Sequence, residues 1–111
     1  MSYVPDRGDV VWINLSPQRG HEQAGFRPVL VLSPAAYNGK VGLMICCPIT
    51  AQAKGYPFEV LIQNNPKVSG VILADQVKSL DWKVRGAKKK GQVSKDELSE
   101  TLSKLKAIIY F

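Results

Sequence analysis

The apolar residues of this chain come in short runs broken by Gly, Pro and Asn, and only past Ser94 does their spacing change from that of a strand to that of a helix. In VVWINL, residues 10–15, Val11, Ile13 and Leu15 alternate with Val10, Trp12 and Asn14, the period of two expected of a half-buried strand. Pro28 opens VLVLS, an unbroken apolar run suited to a central strand, and a proline in first position costs no ladder bond. Asn38-Gly39 is a tight-turn signal ahead of LMICCPI, residues 43–49. PFEVLI (57–62), GVILA (70–74) and LDWKVR (80–85) give three more strand candidates, divided by NNPK and DQVKS. Five or six short strands joined by turns predict a small curled sheet or barrel. Ser94 and Glu97 have capping-box spacing, and Leu98, Leu102, Leu105, Ile108 and Ile109 then form one apolar stripe, which predicts a single amphipathic C-terminal helix packed on the sheet or on a partner.

The 111 residues are read as one domain, 1–111, with a modest core that oligomerisation would supplement. The N-terminal MSYVPDRGD lacks an apolar signal region, and VGLMICCPI (41–49) falls far short of the roughly 20 residues of a membrane helix, so the expected location is cytoplasmic. Cys46 and Cys47 are adjacent, which suits neither a disulfide framework nor metal-ligand spacing, and they are read as packing residues.

The net charge of +6 is concentrated. Between residues 78 and 95 stand Lys78, Lys83, Arg85, Lys88, Lys89, Lys90 and Lys95 against the single acid Asp81, enough to account for the whole surplus. Such a segment either attracts a polyanion, whether RNA, DNA or an acidic protein, or is a solubilising turn, and charge alone does not separate the two.

Several chemistries drop out. GxxxxGK[ST] is absent, which removes the phosphate-cradling P-loop. His21 is the only histidine and the acids are scattered, so neither metal catalysis nor a two-histidine ribonuclease mechanism is expected. What remains is a polar set: Glu22, Gln23 and Arg27 before the second strand, Thr50 at the end of the third, and Lys54 beyond it. If those strands are antiparallel neighbours, Arg27 and Thr50 can face one phosphate-sized pocket, with Arg27 stabilising developing charge, Thr50 donating a hydrogen bond and Glu22 taking a proton from a ribose 2′-hydroxyl. The plainer alternatives are an Arg27–Glu22 surface pair, a strand-ending threonine and a solubilising lysine. Trp12 and Trp82 are expected in the core or an interface, and His21 and Phe26 either contact a base or pack the loop.

Three blocks, PDRGDVVWINLSPQRGHEQAGFRPVLVLSP, CPITAQAKGYPFEV and GVILADQVKSLDWKVRG, stand in order along nearly the whole chain and resemble the MazF/PemK family of toxin endoribonucleases from type II toxin–antitoxin pairs. The resemblance implies a mainly β fold, an SH3-like small β-barrel with short helices, and a homodimer. It also implies metal-independent, ribosome-independent cleavage of single-stranded RNA at short sequences, without a cofactor. The products would be 2′,3′-cyclic phosphate and 5′-hydroxyl ends, and the cell would cease to translate and grow. The family's E-Q-x-G-x-R-P falls on Glu22, Gln23, Gly25, Arg27 and Pro28, and its P-x-T on Pro48 and Thr50. Arg27 and Thr50 therefore take the central catalytic roles, with Glu22 the candidate base, and Gln23, Lys54, Gln76, Lys78 and Arg85 the expected RNA contacts. Many relatives carry a second hydroxyl residue where this chain has Ala51, which bears on base preference.

The resemblance also implies an acidic, MazE-like antitoxin, whose partly disordered tail would be drawn to residues 78–95 and fold as it binds. A competing expectation is a toxin without nuclease activity, built on the related CcdB-type barrel and inhibiting DNA gyrase. A third is a nucleic-acid-binding barrel whose active set has degenerated.

Overall fold

The computed structural model describes residues 3–14 and 26–110. Three long strands, β1 (Asp9–Asn14), β2 (Phe26–Val31) and β3 (Leu43–Thr50), form the antiparallel centre. The shorter β4 (Glu59–Leu61), β5 (Val71–Leu73), β6 (Lys78–Asp81) and β7 (Lys88–Gln92) extend it, with helix α1 (Ala35–Val41) between β2 and β3 and helix α2 (Lys95–Ile109) after β7. The ladder runs β4-β5-β3-β2-β1-β7, and β6 shares the β5 edge of β3.

Both faces of the central strands are covered, which is why β2 and β3 read as continuous apolar runs. One face, including Val10, Leu30, Cys47, Val60 and Ile72, packs against Leu98, Leu102 and Leu105 of α2. The other, including Val11, Ile13, Val29, Met44 and Trp82, is covered by Tyr3, Val4, Leu80 and Ala87. The expected capping box is present, with Ser94 Oγ accepting from Glu97 N–H and the Glu97 carboxylate accepting from Ser94 N–H. The stripe does not hold to the helix end, because Ile109 is 65% exposed.

Pro28 does not open its strand. β2 begins at Phe26 and takes in Arg27, with Pro28 opposite Trp12. Asn14 N–H donates to the Arg85 carbonyl at 2.9 Å, so Asn14 and, by alternation, Trp12 turn their backbone groups away from β2. The missing N–H of Pro28 therefore faces the β3 side, where pairing starts only at Val29 with Pro48. Pro48 is excused in the same way. It falls between the residues of β3 that pair with β6 and those that pair with β5.

Three other expectations are corrected. Asn38-Gly39 lies inside α1, because Asn38 N–H bonds back to Pro34 and the Asn38 side chain is buried, donating to the carbonyls of Pro5 and Ser33. The stop is Gly42, whose left-handed conformation (φ 83°) closes the helix. LDWKVR is a strand only as far as Asp81, whose carboxylate accepts the amides of Lys83 and Val84 and turns the chain. Residues 88–92, expected only as a charged segment, form β7; with no apolar residue in KKKGQ there is no periodicity to find.

Of the barrel expectation, the mainly β architecture holds, as an antiparallel sheet with an open ladder. Among the described residues no strand pairing joins β4 to β7. The turn after β4 spans that gap, with Asn65 Nδ2 donating to Gln92 O at 2.7 Å and Lys90 Nζ to Lys67 O at 2.6 Å.

Candidate active site

Continuing the β2–β3 register two residues past Val29 and Pro48 sets Arg27 opposite Thr50. Side chains two apart on a strand share a face, and so do directly opposed ones, which puts Arg27 and Thr50 on the same side of the sheet at its open end. Lys78, opposite Cys46, belongs to that side too. Arg85 reaches it from the turn before β7 and is held by its Nη1 donating to the Asn14 carbonyl at 3.1 Å. The positive fields of Lys78 and Arg85 both reach the Cys46 thiol.

Thr50 also opens onto a cavity of about 280 Å³ lined by Gln52, Lys54, Tyr56, Phe58, Glu59, Leu73, Asp75 and Gln76. Its Oγ1 accepts the Gln52 N–H at 3.2 Å, leaving the hydroxyl hydrogen to be donated elsewhere. Across the cavity the Glu59 carboxylate accepts from the amides of Lys54 (3.0 Å) and Gly55 (3.0 Å), pinning the loop that carries Lys54 and Tyr56. Lys104 of α2 donates to the Glu59 carbonyl at 3.0 Å, which ties the same wall to the helix. Phe58 and Asp75 are shared with an apolar groove along α2 lined by Ala107 and Ile108.

Three of the expected residues, Thr50, Lys54 and Gln76, thus meet in one cavity, while Arg27, Lys78 and Arg85 lie along the sheet face that leads away from Thr50. Glu22, Gln23 and His21 lie outside the described residues. Ala51 is exposed beside Thr50. Sequence reasoning missed Glu59, Tyr56 and Asp75 as cavity residues; the aromatic in KGYPFE was a signal, but the carboxylates had none.

The two tryptophans part ways. Trp82 is buried, and its indole N–H donates to the Asn38 carbonyl at 2.9 Å. Trp12 is half-buried on the opposite side of the sheet from Arg27, with Lys90 Nζ 4.8 Å from its ring centroid, and Lys88 Nζ stands 5.9 Å from Phe26. Lys89 points the other way and pairs with the buried Asp9 at 3.4 Å. The basic segment is therefore divided between structural and outward-facing lysines.

Burial pushes both Cys46 and Cys47 up to about 12, so neither is a thiolate at neutral pH. That fits their reading as packing residues. Among the described residues no group of three potential metal ligands converges. No described helix is long and apolar enough to cross a membrane.

The chain is similar to known proteins over nearly its whole length. Residues 6–109 match the model for the PemK-like, MazF-like toxin of type II toxin–antitoxin systems. The chain is 51% identical to the endoribonuclease toxin MazF of Escherichia coli K12 over 107 residues, 96% of each protein. It is 34% identical to the endoribonuclease PemK of Escherichia coli, covering 94% of this chain and 81% of that one. A crystal structure of MazF from Deinococcus radiodurans superposes with a TM-score of 0.88 at 54% identity, covering 99% of this chain and 100% of that one. A MazE–MazF structure from the same organism gives 0.93 at 54% identity and 99% coverage of both. A match over nearly the whole chain, at this identity and on a superposable fold, places the protein in the PemK-like, MazF-like family of type II toxins.

Proposed function

We propose that this protein is a sequence-specific endoribonuclease that cuts single-stranded RNA without metal or ribosome, as the toxin of a toxin–antitoxin pair. The coarse assignment, an endoribonuclease toxin, follows from the family and its curated relatives. The finer reading rests above all on Arg27 and Thr50, a guanidinium and a hydroxyl on one face at the open end of β2 and β3. The ribose 2′-oxygen attacks the adjacent phosphorus and the 5′-oxygen leaves, giving a 2′,3′-cyclic phosphate and a 5′-hydroxyl. Arg27 stabilises the charge that grows on the phosphoryl oxygens, and Thr50 donates to one of them. Glu22 is the proposed acceptor of the 2′-hydroxyl proton.

Lys54 and Gln76 flank Thr50 and are assigned to the RNA backbone and bases; Gln23, Lys78 and Arg85 extend the contact. The active unit is proposed to be one domain, 1–111, paired as a homodimer in the cytoplasm. An acidic antitoxin covers the basic surface, as the MazE–MazF structure from Deinococcus radiodurans suggests by analogy. The gyrase-inhibitor reading gains no support from relatives named as endoribonucleases.

Purified protein incubated with a long single-stranded RNA in EDTA should release discrete fragments bearing 5′-hydroxyl ends. Intact RNA would overturn the proposal. Replacing Lys88 by alanine should weaken RNA binding and flatten its dependence on salt, by about 0.7 in log–log slope for one phosphate no longer neutralised. Single-turnover cleavage at saturating enzyme should stay near the wild-type rate, since Lys88 does not stand at the reacting phosphate.

A further inference from the structure

Two carboxylates line the cavity beside Thr50, and only one is used by the fold. Glu59 spends its oxygens on the amides of Lys54 and Gly55. Asp75 is exposed and, among the described residues, has no hydrogen-bond or ion-pair partner for its carboxylate. A negative charge there opposes the phosphate that Lys54 attracts, so it serves no contact with the RNA backbone. A carboxylate can only accept, and the donors an RNA strand offers beyond its 2′-hydroxyls are on the bases.

We infer that Asp75 and Gln76 read the edge of one base flanking the scissile phosphate and select a base with an exocyclic amine against uracil. The inference rests on the ribonuclease reading above and assigns part of its sequence preference. Adenine N6, cytosine N4 and guanine N2 each donate to the Asp75 carboxylate, and each has a ring nitrogen beside the amine that accepts from the neighbouring Gln76 amide. Uracil presents two carbonyl oxygens around a single N–H, and their lone pairs face the carboxylate unfavourably. Tyr56, Phe58 and Leu73 supply aromatic and apolar walls for the base faces, and about 280 Å³ admits one nucleotide, not a duplex.

The test digests a random-sequence single-stranded RNA pool with wild type, Asp75→Asn and Asp75→Ala and sequences the cut ends. At one position beside the wild-type cut, uracil should be depleted about tenfold. Asp75→Asn, whose amide also donates, should restore uracil at that position by about tenfold and leave the other positions unchanged. Asp75→Ala should flatten the preference there. Where a variant no longer cuts, competition between 2′-deoxy-substituted oligonucleotides carrying cytosine or uracil at that position reads the same preference in binding. A cut pool with uracil at its background frequency on both sides of the wild-type site, or an Asn profile identical to wild type, overturns the inference alone. An uncut wild-type pool overturns the ribonuclease reading and this inference with it.

Discussion

Arg27→Ala should lower the single-turnover rate of RNA cleavage by about 10²- to 10³-fold at saturating enzyme, with the fold intact. The expectation follows from the place of the side chain. Arg27 is exposed at the rim of β2, so truncation opens no cavity, and loss of its surface interactions should cost no more than about 1 kcal/mol of stability. What is lost is a planar, permanently charged fork at the proposed phosphate site, where charge stabilisation counts in the transition state more than in the bound ground state. Arg27→Lys keeps the charge but not the fork and should fall between the two. Circular dichroism and a thermal melt report the fold, and rapid quench reports the rate. An Arg27→Ala protein that cuts within about twofold of wild type would remove Arg27 from the chemistry.

Much of this site was legible in the sequence because strands write a simple code. Alternation in residues 10–15 and the apolar runs around 29–33 and 43–49 give β1, β2 and β3, and antiparallel pairing of β2 with β3 brings the start of one and the end of the other, with Arg27 and Thr50, to the same end of the sheet. The failures were equally physical. β7 is held by backbone pairing to β1, by the Lys89–Asp9 ion pair and by lysines over aromatic rings, none of which leaves an apolar period. Asn38-Gly39 is a good turn signal on local grounds, but buried bonds to Pro5 and Ser33 turn the asparagine into a helix anchor, a tertiary effect invisible to a dipeptide rule. The cavity carboxylates were missed for a related reason. Glu59 and Asp75 reach one cavity only because β4 pairs with β5, and nothing in either neighbourhood marks that meeting.

Family and individual residues support different parts of the functional reading. Register, charge and a hydroxyl–guanidinium pair support a phosphate site whatever the family. That the phosphate belongs to RNA comes from the relatives, whose names say so. A sequence preference is a finer property than either, which is why Asp75 matters: among the described residues its carboxylate has no partner, and phosphate chemistry does not use it.

The second large effect is expected at Gly70. Gly70→Ala should destabilise the protein by about 2–4 kcal/mol and reduce cleavage per folded molecule as well. Gly70 has φ 113°, a conformation that side-chain-bearing residues rarely adopt, and it comes just before β5, where that strand meets the end of β3. A Cβ there would drive into the Thr50 carbonyl oxygen and sit 3.1 Å from the Thr50 carbonyl carbon. Backbone cannot rotate aside as a side chain can, so the ladder must part or the end of β3 must move, and Thr50 moves with it. Gly42→Ala separates the two contributions. Gly42 has φ 83° with nothing within 4 Å of its added Cβ, so it carries the conformational cost alone, about 1–2 kcal/mol, and leaves Thr50 where it is. Urea denaturation gives the stabilities, and cleavage rates corrected for the folded fraction give the rest. If Gly70→Ala lost stability but kept the wild-type rate per folded molecule, the placement of Thr50 at the end of β3 would not be what the chemistry depends on.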